Sequence, residues 1–145
     1  EFLSDPGFYN GSFELNIEQD ENGYPIYYTV DGSEPTINSN IYSQSININE
    51  TTVVRASIIH PNCLFSEIST SSYFINEDMN LPIVSLTTHP DNFWDWETGI
   101  YVMGPNASPD MPNFGANFWE DWERPIHIEF FESNECFKKQ NSGCN

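Results

Sequence analysis

The stretch Ile26-Tyr27-Tyr28-Thr29-Val30-Asp31-Gly32-Ser33-Glu34-Pro35-Thr36 decides the fold of this chain. Its first half is rich in aromatic and β-branched residues, which favour a strand. Its second half is a polar turn, in which Gly32 can take a positive φ and the side chains of Asp31 and Ser33 can bond nearby backbone N–H groups. We therefore expect the chain before Asn76 to form a small β-sandwich built around this strand and turn.

Further short strands flank this stretch at a spacing of about 8–12 residues, which is typical of a sandwich. The predicted strands cover residues 13–17, 24–30, 41–42, 44–48, 52–59 and 67–74. No helical period interrupts them. The predicted fold class is all-β: an immunoglobulin- or fibronectin-III-like antiparallel β-sandwich, followed by a short, truncated β-rich segment.

The predicted domain organisation has three parts. Residues 1–76 form the sandwich, residues 77–81 are a polar linker, and residues 82–145 form the second segment. In that segment we predict strands at 83–86, 99–103 and 126–131, and one helical turn at 91–95 that Thr88 or Asp91 caps. The chain begins without Met and ends in mid-pattern, so we expect it to be a piece of a longer protein.

The charge balance limits the possible partners. Four Lys and Arg stand against 22 Asp and Glu, which gives a formal net charge of -18. Such a field repels nucleic acid and anionic membranes, whereas it suits an extracellular protein or neutral partners such as glycans. Solubility alone is an alternative explanation of the charge. No apolar run reaches the roughly 20 residues that a membrane helix needs, so no membrane insertion is expected.

The three cysteines, Cys63, Cys136 and Cys144, fit no zinc-binding spacing. Cys136 and Cys144 can close a short loop if the chain is secreted, and free thiols are equally compatible with the sequence. Their disulfide status stays open.

The second segment contains the candidate binding residues. All four tryptophans of the chain lie there: Trp94, Trp96, Trp119 and Trp122. Aromatic faces suit the apolar faces of pyranose rings, so these residues can form a stacking platform for carbohydrate. The alternative is that they form the core of a helix-poor domain.

A calcium site is a second candidate, because hard cations prefer several oxygen ligands. Asp91, Asn92 and Asp95 supply such oxygens, although their spacing does not match an EF-hand loop. Glu120, Asp121 and Glu123 lie too close together along the chain to form the separated carboxylate pair of a glycosidase. We expect no catalytic residue in this chain and no cofactor other than calcium.

The opening stretch resembles a known module: the chitobiase/β-hexosaminidase C-terminal-type β-sandwich, also described as fibronectin-III-associated or family 29 glycosidase-like. The residues that carry the pattern, to which we assign a structural role, are Tyr27, Tyr28, Thr29, Asp31, Gly32, Ser33, Pro35 and Thr36. Supporting matches lie at residues 6–9, Tyr42, residues 51–56, residues 66–67 and residues 73–74. The resemblance covers about residues 5–75, and it implies a non-catalytic accessory module with a spacing or binding role.

The second segment resembles the beginning of the CotH-type spore-coat kinase family, on residues 81–88, 97–102 and 121–131. In that family the nucleotide-binding and catalytic residues follow later, so the resemblance implies a kinase only in the parent protein. Together, the two resemblances imply a bacterial surface or secreted protein. The partners expected are downstream domains of the same polypeptide and polysaccharide. The alternative is the leading fragment of a CotH-like kinase.

Overall fold

The computed structural model describes residues 1–60, 66–78 and 80–132. The elements, in chain order, are β1 (Gly7–Tyr9), β2 (Phe13–Leu15), β3 (Ile26–Thr29), β4 (Asn40–Ile41), β5 (Ile46–Ile48), β6 (Thr52–Ile58), β7 (Ser69–Ile75), β8 (Ile83–Thr87), α1 (Asp91–Trp94) and β9 (His127–Phe131), with a 3-10 turn at Asn117–Trp119 before β9.

Two sheets form a sandwich in the first half of the chain. One has five strands in the order β1-β7-β6-β3-β4, and the other pairs β2 with β5. All these pairs are antiparallel except β1 with β7, which is parallel. The predicted all-β sandwich is therefore confirmed.

The core of the sandwich follows from alternation along the strands. Leu15 of β2 and Ile48 of β5 face Val54 and Tyr73 of the larger sheet, and all four side chains are at most 2% exposed. Each buried side chain of this size contributes about 1.5–3 kcal/mol by leaving water. Tyr73 also donates a hydrogen bond from its hydroxyl to the Ser4 carbonyl at 3.2 Å.

The outer face of the larger sheet carries a two-stranded sheet of β8 and β9, which we call the β8–β9 ribbon. Ser72 of β7 is 2.7 Å from the Ser85 hydroxyl of β8 and donates to the Glu129 carboxylate of β9 at 2.6 Å. The Phe131 ring packs edge-on against Phe74 at a centroid distance of 5.1 Å. The ribbon therefore rests on the sandwich mainly through polar side chains.

The opposite face of the ribbon is apolar and exposed. Val84 and Leu86 of β8 lie opposite Phe130 and Ile128 of β9, and their exposed fractions are 54%, 53%, 62% and 60%. Large apolar side chains clustered on one exposed sheet face are typical of a surface that another layer covers.

The predicted strand at 99–103 is wrong. The amides of Gly99, Ile100 and Tyr101 donate to the carbonyls of Asp95, Asn92 and Phe93 respectively. Because these amides donate to carbonyls within residues 92–95, residues 99–101 form a turn and do not pair with another strand.

The helical turn that we predicted at 91–95 is confirmed as α1, but its predicted cap is wrong. The N-cap position is Pro90, and it provides no side-chain hydrogen bond. The Thr88 hydroxyl instead donates to the Pro125 carbonyl at 2.6 Å, which ties the segment before α1 to the segment before β9. No helix in the described ranges has the length and apolarity to cross a membrane.

Candidate functional site

The turn after β3 is held by its own side chains. Gly32 has φ 82, as the sequence predicts. The Asp31 carboxylate accepts hydrogen bonds from the Ser33 amide at 3.0 Å and from the Ser33 hydroxyl. Thr29 donates from its hydroxyl to the Ser33 carbonyl at 2.7 Å. These contacts fix the direction of the Asp31 side chain at the end of the strand.

The same contacts set the charge of this carboxyl group. The Ser33 hydroxyl and then the Ser33 amide hold the pKa of Asp31 below its ordinary value, with a smaller contribution from nearby His89. Hydrogen bonds to the ionised form favour that form. Asp31 is therefore an anion at neutral pH that accepts hydrogen bonds and donates none.

Arg55 of β6 binds the backbone of the turn. Its Nη1 donates to the Gly32 carbonyl at 3.0 Å, and its Nη2 lies 3.6 Å from the Glu34 carboxylate. Arg55 is 7% exposed, so this contact holds the turn against a rigid central strand.

The other motif residues also make local structural contacts. Tyr28 packs against the core, whereas Tyr27 points to the other face of the sheet. Pro35 is buried. The Thr36 amide donates to the Ser39 hydroxyl at 2.9 Å.

The turn faces the second region across a groove. Residues 30–32 and 51–53 form one wall, and residues 86–88, Pro90 and 93–94 form the other. The cavity measures about 370 Å³, which lies in the usual range for small-ligand sites. We call it the Trp94 groove, because Trp94 is its exposed aromatic ring. Trp94, Phe93 and Asp31 all line this one cavity.

Two neighbouring aromatic rings support the Trp94 ring. Its centroid lies 5.6 Å from that of Tyr101 and 6.2 Å from that of Phe93. Phe93 and Tyr101 are themselves in edge-on contact at 5.3 Å. Because Trp94 remains 63% exposed, one face of a positioned indole is open to solvent.

A second aromatic group lies around Trp119. Its ring is 5.8 Å from Phe114 and 6.0 Å from Phe118, and its indole N–H donates to the Pro112 carbonyl at 3.0 Å. Trp119 is 54% exposed. This group and the Trp94 group occupy separate parts of the second region.

The remaining two tryptophans stand apart. Trp96 is 58% exposed, and Trp122 is 38% exposed with the Arg124 guanidinium 5.1 Å from its ring centroid. Within the described part of the chain, no ring contact joins any two of the four tryptophans. The structure thus exposes all the predicted stacking residues but does not assemble them into one platform.

Sequence reasoning missed the residue that positions this region. Asn117 is 2% exposed, and its side-chain amide donates to the carbonyls of Trp96 and Gly99, each at 3.1 Å. The backbone at Gly104 approaches this side chain so closely that a Cβ there would collide with it. The sequence signal was weak, because one Asn among many in a loop does not differ from its neighbours.

The three predicted calcium ligands are used in local contacts. One oxygen of Asp95 accepts from the amides of Glu97 and Thr98 at 3.0 and 2.8 Å. The Asn92 side-chain amide donates to the Thr88 hydroxyl at 2.6 Å. Asp91 lies with one carboxylate oxygen 3.6 Å from His89 Nδ1. Across residues 1–60, 66–78 and 80–132, no three His, Cys, Asp or Glu side chains are grouped to hold a metal ion. Calcium binding stays a prediction.

The other candidate residues are the acidic group around Trp122 and the three cysteines. Glu120, Asp121 and Glu123 are exposed. All three cysteines, Cys63, Cys136 and Cys144, lie outside the described residues.

Comparison with known proteins gives one family match, to part of the chain. Residues 4–70 match the model of the chitobiase/beta-hexosaminidase C-terminal domain. That domain is a non-catalytic β-sandwich module of larger glycosidases, and the sandwich observed here is consistent with an accessory role. No curated protein and no solved structure matches the chain significantly.

Proposed function

We propose that this chain is a non-catalytic accessory module of a larger extracellular or cell-surface protein and that it binds carbohydrate through its tryptophans. The observation that carries the proposal is their exposure, which ranges from 38% for Trp122 to 63% for Trp94. Indole rings are usually well buried, and an exposed ring offers a flat apolar surface that suits the C–H face of a pyranose.

The charge of the molecule supports a neutral ligand. Of the two Lys or Arg residues in the described ranges, Arg55 is buried and Arg124 lies against Trp122. The surface is therefore strongly anionic, which disfavours nucleic acid and anionic membranes but leaves a neutral polysaccharide unaffected.

The family match over residues 4–70 supports the accessory role. The matched domain accompanies the catalytic parts of glycosidases, and an accessory module that holds a polysaccharide raises the local concentration of substrate for such a part. An extracellular location follows from the same association.

A pull-down on insoluble polysaccharides tests this function. We expect the intact chain to bind at least one neutral polysaccharide, and we expect Trp94→Ala and Trp122→Ala to weaken retention without changing the far-ultraviolet circular dichroism spectrum. If no polysaccharide retains the intact chain, the carbohydrate-binding function is wrong and only the role of a spacer between neighbouring domains remains.

A second function is favoured by one observation, the exposed apolar face of the β8–β9 ribbon. We propose as the alternative that residues 82–145 begin a CotH-like kinase domain, whose downstream part covers Val84, Leu86, Ile128 and Phe130. A second copy of the chain is a poorer occupant, because two molecules of charge -18 repel each other.

A longer gene product would test this alternative. We expect hydrogen exchange at β8 and β9 to slow when the downstream region is present, and we expect kinase-type Lys and Asp positions to follow Asn145. Unchanged exchange in a longer product would contradict the proposed covering layer.

A further inference from the structure

We propose that the Trp94 groove is a subsite for one neutral saccharide unit, whose ring stacks on Trp94 and whose hydroxyl groups donate to Asp31. The inference rests on the proposed carbohydrate-binding function and makes it specific: it chooses one groove, adds a polar ligand-binding residue from the sandwich, and names the class of saccharide.

The two walls supply complementary halves of such a site. Trp94 provides an exposed apolar ring, and its contacts with Tyr101 and Phe93 limit the rotation of that ring. Asp31 lies on the opposite wall. A pyranose has an apolar C–H face and a rim of hydroxyl groups, so a ligand that fits the groove needs both kinds of surface.

Asp31 retains the capacity to bind such hydroxyl groups. A carboxylate has about four acceptor positions, and Ser33 uses two of them, both on Oδ1. Asp31 is ionised at neutral pH, and the hydrogen bonds from Ser33, which lower its pKa further, favour that charged form. Hydrogen bonds to a charged acceptor are roughly twice as strong as those between neutral groups.

The turn keeps this carboxylate in place before a ligand arrives. Arg55 holds the Gly32 carbonyl at 3.0 Å, and a Cβ at Gly32 would lie 3.5 Å from the Thr88 carbonyl on the other wall. The strand-and-turn motif and the second region therefore approach each other at the groove itself. Because both walls are already positioned, binding requires little ordering of the protein.

The charge of the groove predicts its selectivity. Asp31 faces the cavity as an anion, and the chain as a whole carries a formal charge of -18. A uronic acid or a sulfated sugar would place like charge beside Asp31, which is unfavourable. The subsite should therefore accept neutral hexoses or N-acetylhexosamines and exclude acidic saccharides.

Isothermal titration of the intact chain with four probes tests the inference: cellohexaose, the hexamer of N-acetylglucosamine, a hexameric galacturonate and a sulfated hexasaccharide. We expect binding of at least one neutral probe and none of either acidic probe. Trp94→Ala should weaken that binding by about tenfold or more, since stacking and the loss of buried ring surface contribute more than about 1.4 kcal/mol. Trp94→Phe should restore part of it.

The Asp31→Asn variant separates the carboxylate from the fold of the turn, because Asn also accepts the bond from the Ser33 amide. We expect this variant to have several-fold lower affinity for the neutral probe and higher affinity for the acidic probes than the intact chain has. Tyr24→Ala removes an exposed ring outside the groove and should leave the affinity for every probe unchanged.

The outcomes distinguish the subsite from the general function. If the intact chain binds a neutral probe, but Trp119→Ala abolishes this binding and Trp94→Ala does not, the subsite is wrong and the carbohydrate-binding function stands. If no neutral probe binds at millimolar concentration, both are wrong. Tighter binding of an acidic probe than of a neutral probe would contradict the proposed selectivity of the subsite.

Discussion

The two parts of the chain on either side of residues 77–81 differ in how far their apolar side chains are buried. Among the described residues, the buried apolar core includes nine residues before position 77 and only Ala116 after position 81. The second part instead exposes large apolar side chains, from Val84 to Phe130. The first part therefore carries its own core, as an independent domain does, whereas the second depends on specific hydrogen bonds and on what it contacts.

This difference explains why a family match covers the first part. Residues 4–70 match a known sandwich domain, whose core positions follow the alternation of its strands. The second part is held by single contacts, such as those of Asn117 and Thr88. Four predictions test this contrast.

Removing a core leucine should have the largest effect. Leu15→Ala should lower the free energy of unfolding by about 3 kcal/mol, because Leu15 is fully buried between the two sheets. The matched control is Leu86→Ala, because Leu86 lies on the exposed face of the ribbon. This variant should change the free energy of unfolding by less than about 0.5 kcal/mol. Urea unfolding followed by circular dichroism measures both. Equal losses would mean that the ribbon face is a core surface in solution.

Removing the Asn117 side chain should affect the second part alone. Asn117→Ala leaves the Trp96 and Gly99 carbonyls without their donor, which costs about 2 kcal/mol. Hydrogen exchange should accelerate at the amides of Gly99 to Tyr101 and remain unchanged in β6. The exposed Asn106→Ala serves as the control. Faster exchange in β6 as well would show that both parts share one cooperative unit.

Removing the polar contact between the parts should have a smaller effect. Ser72→Ala eliminates the hydroxyl bonds to Ser85 and Glu129 and should cost about 1 kcal/mol, while the Ser72 amide still donates to Glu129 at 3.3 Å. Exchange at β8 and β9 should quicken, since their polar face loses an anchor. Ser69→Ala, at an exposed position of the same strand, should not reproduce this. Unchanged ribbon exchange in Ser72→Ala would mean that the aromatic packing of Phe131 and the amide bond from Ser72 to Glu129 are enough to hold the ribbon.

The effect that is smallest near neutral pH concerns the Tyr73 phenol in the sandwich core, because it appears only at alkaline pH. Burial raises the pKa of Tyr73 from 10.0 to about 12. Between those values the unfolded chain releases the phenolic proton and the folded chain keeps it, so the stability that this group contributes is lost as pH rises through this window. Stability of the intact chain should fall more steeply there than that of Tyr73→Phe. Parallel curves for the two proteins would exclude this role of Tyr73.

Several features of the fold could be predicted because they depend on local patterns. Strands such as β6 and β7 show the composition and bounding turns of extended chain, and the turn at Gly32 needs a residue that accepts positive φ. The strand predicted at 99–103 failed, since its amides bond to the segment around α1. Apolar residues at short spacing do not reveal which partner the backbone finds.

The candidate site was predictable only in part. The tryptophans were visible in the sequence as sugar-stacking candidates, but their division into separate groups depends on how residues 91–122 turn. Asp31 was recognised as a turn residue, and its place in one cavity with Trp94 follows from the packing of two segments that are far apart in the sequence.

The sequence by itself determined the sandwich of this protein, because period-two alternation and the Asp31-Gly32-Ser33 turn act over a few residues. Only the tertiary structure decided that the β8–β9 ribbon lays its polar face on the sandwich and its apolar face outward. Only the tertiary structure also placed Trp94 beside that turn. The strand pattern fixes which side chains share a face, whereas long-range packing fixes what that face meets.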